Sequence, residues 1–350
     1  FYDYDLKFVG LHAHSGVGSP FDGFGYPQDH MDFCFDNGGE ALALTDHGNM
    51  NGFAYQILHA NKMAKMGKDF KPIFGVEAYF IPCVNEWRKQ YEEHKADKKK
   101  AKALNDSQSG VNVEEEGATK SKGRSINRSR HLVLLATNQT GLNNIFKLIS
   151  ESYSEKYFYR KPRMDYNLLA EHSDGVIAMS ACLGGVYAGN YWENREEGDE
   201  AVLNAMSETT EKMVDIFGDR WYAEIQWNNV DDQHKLNQYI IQTAQKHNVK
   251  LLSTADSHYP NPTAWKDREL YTRLGWLGKG GLPEYMGSEL PEGVEEVGYE
   301  LYPKNGDEMW ASYKKYATEG GFKYDDQVVL DSIEESHRIA FDRIEKFFPD

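Results

Sequence analysis

Seven short runs of branched and aromatic residues punctuate the chain, at 7–14, 41–46, 72–80, 131–137, 175–181, 221–227 and 250–255. Stretches whose apolar positions recur at helical spacing lie between most of them, at 27–37, 52–66, 141–154, 200–217 and 232–247. Strands alternating with helices predict parallel strands joined by crossover connections. Near-continuous apolar runs such as 132–136 suit strands buried on both faces. Seven repeats without an edge-strand signal fit a closed barrel better than an open doubly wound sheet.

Two stretches break this rhythm. Between about 85 and 130, charge blocks (98–100 and 114–116) and small polar residues replace the large apolar ones. That composition predicts a solvated, partly disordered surface insertion with a short charged helix near 86–104; a basic arm contacting DNA is the functional alternative. Beyond about 262 come glycines within 278–281, an acidic stretch through Glu296 and an amphipathic region ending in a helix near 325–347. The expected division is a barrel over 1–275 and an extension over 276–350.

Composition narrows the possibilities. A chain of 350 residues, 40% hydrophobic and 13% aromatic, can build a sizeable core, which excludes a wholly disordered protein. A net charge of −16 argues against gripping nucleic acid through bulk charge, although bound cations can reverse the field of a local site. Cys34, Cys83 and Cys182 are too few and too scattered for a disulfide framework or a CxxC zinc site, and they suit a reducing cytoplasm. No apolar run approaches the roughly 18–20 residues a membrane span needs, and no signal-peptide pattern opens the chain. Beginning at Phe1 and stopping at Asp350 just after an apolar run, the chain is expected to be a processed or excised piece of something longer.

The candidate chemistry collects at the predicted strand ends, which in a parallel barrel share one face. The first strand ends His12-Ala13-His14, a spacing that turns both imidazoles to one side. The second ends Asp46-His47, the third carries Glu77, the fourth opens with His131, the fifth ends near Cys182, and the seventh ends Asp256-Ser257-His258. Asp22 follows the first strand in a loop rich in glycine. Each has a plain structural alternative: a hydrogen-bonded histidine, a small buried thiol at Cys182, or a capping carboxylate at Asp46 or Asp256. Their collection at one end of one barrel favours a metal site.

Leu11-His12-Ala13-His14-Ser15 with Phe21-Asp22-Gly23, Thr45-Asp46-His47-Gly48, Gly75-Val76-Glu77-Ala78-Tyr79 and Ala255-Asp256-Ser257-His258-Tyr259 resemble the motifs of the PHP (polymerase and histidinol phosphatase) family. The runs His131 to Asn144, Phe158 to Arg163 and Ser180 to Gly185 are similar to the PHP domains of bacterial-type (C-family) DNA polymerase III α subunits. The resemblance covers about residues 7–265. It continues weakly through Glu300 to Lys304 and Glu308-Met309, like a segment leading into a polymerase palm.

The resemblance implies an α/β fold, a distorted (β/α)7 TIM-like barrel with a trinuclear metal site at the C-terminal strand ends, plus a partial C-terminal extension. It implies that His12, His14, Glu77 and Asp256 hold a first ion. Glu77 would bridge to a second ion shared with His131 and Cys182, and Asp22, His47 and His258 would hold a third. Such a donor set suits zinc, with manganese or iron as alternatives at the oxygen-rich position. The implied activity is phosphoester hydrolysis by a metal-activated water, as in a 3′–5′ proofreading exonuclease. Asp256 would orient or deprotonate the water, and His258 and Glu77 complete the catalytic set. Arg160, Lys161 and Arg163 are candidates for substrate phosphates, with surface salt bridges as their alternative. The expected partners are the 3′ end of a DNA primer and the remaining polymerase segment or other replisome proteins. The expected setting is the bacterial cytoplasm without membrane contact, possibly from a phage-encoded copy. No polymerase activity is expected from this chain alone. The competing functions are a small-molecule phosphatase of the histidinol-phosphate type and a catalytically silent, metal-stabilised docking barrel.

Overall fold

The computed structural model describes residues 5–107, 126 and 128–349. Seven strands form one sheet: β1 (Ala41–Leu44), β2 (Lys71–Phe80), β3 (Arg130–Ala136), β4 (Arg163–Met164), β5 (Val176–Met179), β6 (Trp221–Gln226) and β7 (Lys250–Thr254). Their order is β1-β2-β3-β5-β6-β7, and the two-residue β4, absent from the sequence reading, lies beside Tyr79 and Phe80 of β2. The pairing is parallel except at β3, which runs antiparallel to both β2 and β5. This corrects the expected all-parallel pattern. The connection from β2 to β3 leaves and re-enters at the same end of the sheet, so no crossover intervenes.

The segment 7–14, expected as the first strand, makes only isolated bridges, Gly10 with Leu42 and Ala13 with Ser257. Ala43 N donates to Gly10 O and His14 N to Ser257 O, each at 2.8 Å. The segment thereby spans the gap between β1 and the residues following β7, and the curled sheet becomes a distorted α/β barrel.

Strand alternation sorts the side chains into two layers. Ala41, Ala43, Ile73, Val133, Leu135, Ile177, Met179, Tyr222 and Leu252 fill the interior with Val9 and Leu11. The opposite faces, including Val76, Leu132, Leu134, Val176 and Ala223, pack under helices such as Gln139–Ser152, Asp199–Phe217 and Asp231–His247. The helix Gln139–Ser152 shows why such segments fold as they do. Asn138 caps it by accepting from Gly141 N, and Leu142, Ile145 and Leu148 form its buried stripe. Each fully buried apolar side chain of this kind contributes about 1.5–3 kcal/mol.

The C-terminal residues share these layers. Helices Gly306–Glu319 and Asp326–Arg338 lead into a π-helical turn, Ile339–Arg343. Met309, Tyr313, Val329 and Ile333 join the outer cluster, whereas Ile339, Ala340 and Ile344 enter the barrel interior. Lys71, at the start of β2, donates to the carbonyls of Ala340 and Ile344. The turn therefore closes the end of the barrel where β2 begins.

The charged helix expected near 86–104 spans Val84–Ser107. Val84 and Trp87 anchor it in the outer cluster, and most of its later side chains are exposed. Residues 108–125 and 127, most of the expected disordered stretch, lie outside the described residues. Among the described residues, no helix is long and apolar enough to cross a membrane.

His30 makes the fold sensitive to acid. Its Nε2–H donates to Phe24 O at 2.8 Å, and burial pulls the imidazole down to about 4. The unfolded chain binds a proton near pH 6.5 that the folded chain refuses, so this contribution is complete above that pH and is lost as pH falls toward 4. A His30→Gln variant should lose about 2 kcal/mol less stability than the parent between pH 7 and pH 5. Urea melts at the two pH values measure the difference; equal losses would place the acid sensitivity at another group.

Candidate metal centre

The inward rows of the barrel change from apolar to polar toward one rim. On β2, Ile73 is followed on the same face by Gly75 and Glu77; on β6, Tyr222 leads to Glu224; beyond β7, Leu252 and Thr254 lead to Asp256. Because β3 is reversed, its row runs backwards, from Leu135 through Val133 to His131. That reversal is why a histidine at the start of a strand joins residues at the ends of the others.

Glu77 is the hub. Its Oε1 lies 3.0 Å from His12 Nε2 and 3.5 Å from His131 Nδ1; its Oε2 lies 2.5 Å from His47 Nδ1 and 3.6 Å from His14 Nε2. Asp256 Oδ1 is 3.1 Å from His12 Nε2 and 3.2 Å from His14 Nε2, and those two nitrogens are 3.2 Å apart. Asp22 Oδ2 is 2.7 Å from His47 Nε2 and 3.3 Å from His258 Nε2. Cys182 Sγ lies 3.5 Å from His131 Nδ1. All nine residues expected from the motifs thus meet in one cluster.

The spacing and chemistry of the cluster fit divalent cations. Bonds of about 2.0–2.2 Å to a tetrahedral ion put neighbouring ligand atoms roughly 3.3–3.6 Å apart, close to most of these separations. His14–His47–His258, His12–His14–Glu77 and His47–Glu77–His131 each bring three donor atoms within 4.8 Å of one another. His47 Nδ1, Glu77 Oε2 and Asp256 Oδ1 are buried and make no hydrogen bond among the described residues. Such groups are costly unless something charged satisfies them.

The electrostatics point the same way. Burial opposes charge on His12 and His47, yet Asp256, Glu224 and Glu77 hold the first well above its ordinary value, and Glu77 and Asp22 push the second up to about 10. His14 is pulled down to about 3 by burial and by the charges of His47 and His258. Burial works against the ionised Glu77 and Asp256, but the surrounding imidazoles keep both below the usual carboxylate range.

Several supporting residues went unrecognised in the sequence. Glu224 Oε1 accepts from His12 Nδ1 at 2.6 Å and from Gln226 Nε2 at 3.1 Å, which fixes the first imidazole with Nε2 facing the cluster. An acid in the middle of an otherwise buried strand was the available signal. Arg268 Nε donates to Asp22 O and its Nη2 to Asp22 Oδ1, both at 2.8 Å. This arginine comes from helix Trp265–Leu277, which buries Arg268, Glu269 and Arg273 while exposing Leu270 and Leu274. Asp46, a capping candidate, accepts from Ser15 N, Ser15 Oγ and Ser19 Oγ at 2.7–2.8 Å and so pins the loop carrying Asp22. Gly18 is required there, because a Cβ would sit 2.4 Å from Asp46 Oδ2.

The three basic candidates separate. Lys161 is exposed, with Nζ 4.5 Å over the Tyr79 ring, and that ring stacks on His47. Arg160 is exposed and left-handed, with φ of 59°. Arg163 corrects the expectation of a phosphate contact: it is 1% exposed, donates from Nε to Tyr157 O and lies 3.8 Å over Trp87. Its place on β4 turns it into the packing under the Val84–Ser107 helix, away from substrate.

Comparison with known proteins follows this geometry. The model of the PHP domain matches residues 10–228. The chain is 33% identical over 267 residues to the DNA polymerase III subunit alpha of Aquifex aeolicus, covering 76% of this chain and 19% of that protein. The subunit alpha of Thermus aquaticus is 34% identical over 256 residues, 73% of this chain and 17% of that protein. This chain spans about a fifth of the length of the curated relatives it matches. Among solved structures, an amidohydrolase from Chromobacterium violaceum aligns at a TM-score of only 0.37 and 14% identity, over 75% of this chain and 96% of that one. The motifs at His12, Asp22, His47 and Glu77 lie within the matched residues, and the chain belongs to the PHP domain family.

Proposed function

We propose that this chain is a metal-dependent phosphoesterase, acting as the 3′–5′ exonuclease of a DNA polymerase III α-like protein in the bacterial cytoplasm. The observation that carries the reading is the convergence of nine donor side chains around Glu77. His12, His14, Glu77 and Asp256 would hold one ion; Glu77, His131 and Cys182 a second; Asp22, His47 and His258 a third. The mixed donors favour zinc, with manganese or iron at the oxygen-rich position. Bound there, divalent ions supply Lewis acidity toward a phosphoryl oxygen and bring the pKa of water toward neutrality.

The chain's own residues supply position. Glu224 fixes the His12 ring, and Arg268 fixes the Asp22 carboxylate. His258 Nδ1–H donates to the Asp256 carbonyl at 2.6 Å, leaving Nε2 toward Asp22. Asp256 stands at φ of 46°, a strained conformation for a non-glycine residue that the surrounding packing enforces. DNA as the substrate is supported by the likeness to polymerase α subunits rather than by the metal cluster, which would serve a small phosphate ester equally well.

The test is a time course on a 3′-mismatched primer–template with zinc or manganese, run beside an Asp256→Asn, His258→Ala double variant. The expected result is shortening from the 3′ end by the parent and none by the variant. Intact primer in the presence of bound metal would overturn the exonuclease reading and leave a small-molecule phosphatase or a structural barrel.

A further inference from the structure

Resting on that reading of the metal centre, we infer that its rim is a stacking platform for unpaired bases at a single-stranded nucleic-acid end, with Lys161 and Lys279 receiving the adjoining phosphates. Two pairs of aromatic rings flank the cluster on different sides. Phe21 adjoins Asp22 and stacks on Tyr271 with centroids 5.0 Å apart; Tyr153 stacks on Phe158 at 6.0 Å. The second pair lies toward Tyr79, whose hydroxyl is raised by burial and by the neighbouring Glu77, Asp22 and Tyr153.

These rings are held open. Phe21, Phe158 and Tyr153 are 50%, 44% and 51% exposed although each could bury far more apolar surface. Phe21 carries a φ of 63°, and Gly275 lies directly against it, where a Cβ would approach Phe21 Cβ to 2.6 Å. A bulky residue kept outward in a strained conformation suggests a ligand-facing role.

The charge around the rim is equally uneven. In a chain of net charge −16, Lys161 and Lys279 are close enough that the second helps burial to lower the first. Two exposed ammonium groups beside aromatic faces match the alternating phosphates and bases of a single strand. A duplex keeps its bases stacked inside, and a small monophosphate would use neither ring pair.

Fluorescence anisotropy on the zinc-loaded chain tests this with a short labelled oligothymidylate and an abasic backbone of equal length. Both carry phosphorothioate linkages to suppress cleavage. The base-bearing strand should bind at least about 10-fold tighter, and Tyr153→Ala with Phe158→Ala, or Phe21→Gly, should reduce that preference. Glycine suits the left-handed backbone at position 21. Lys161→Gln with Lys279→Gln should instead lower the slope of log affinity against log salt by about 1.4. Equal affinity for the two strands, or a preference that survives both aromatic changes, overturns the inference. Base preference with an intact primer in the exonuclease assay would sink only the exonuclease reading, and primer trimming without base preference would sink only this one.

Discussion

Replacing Glu77 with glutamine is expected to lower metal-dependent hydrolysis about a thousandfold, equivalent to about 4 kcal/mol of transition-state stabilisation. One carboxylate faces His12, His14, His47 and His131 at 2.5–3.6 Å, so no other residue touches as many of the proposed ligands. Glutamine keeps the volume but removes the charge, and its amide would present hydrogens where the carboxylate presents an oxygen. Metal content by mass spectrometry should fall together with the initial rate. A variant with full metal content and a rate within tenfold of the parent would show that Glu77 is not the hub.

Removing everything after Tyr324 is expected to abolish cooperative folding. The deletion takes Val329 and Ile333 from the outer cluster and Ile339, Ala340 and Ile344 from the barrel interior. Truncating one large apolar core residue to alanine commonly costs about 2–5 kcal/mol, and the whole stability of a protein is roughly 5–15 kcal/mol. The same deletion leaves the buried Lys71 amine without its two carbonyl acceptors, and strips Ser332 from Ser253 and Ser336 from Val9. Near-ultraviolet circular dichroism through a thermal ramp reports the outcome. A sharp transition in the truncated chain would mean that the barrel stands without its plug.

The candidate site was legible in the sequence because metal-type residues are chemically distinctive and strand periodicity fixes which neighbours share a side. His12 and His14, two apart, do bring their nitrogens within 3.2 Å. What stayed hidden depends on partners distant in sequence. Nothing local to His131 says that β3 runs backwards, since an apolar run reads alike in both directions. Arg163 looks like any basic residue between Pro162 and Met164 until Trp87 is placed over it. Glu224 and Arg268 act through His12 and Asp22, more than 200 positions away. The C-terminal turn reads as an ordinary amphipathic end, and only the assembled sheet shows that Ile339 and Ala340 fill its interior.

The reversed β3 also decides where this architecture can grow. A parallel partner would oblige the chain after β2 to travel the full height of the barrel before pairing again, which takes a dozen or more residues. Here Phe80 pairs with Arg130 and the two strand ends are already neighbours. A hairpin turn would satisfy the geometry, so nearly every residue between them is surplus to barrel closure. Length and composition in that interval are free to vary between homologues without retuning a single strand register. Any addition there emerges beside the histidine cluster, where new sequence can alter what reaches the site.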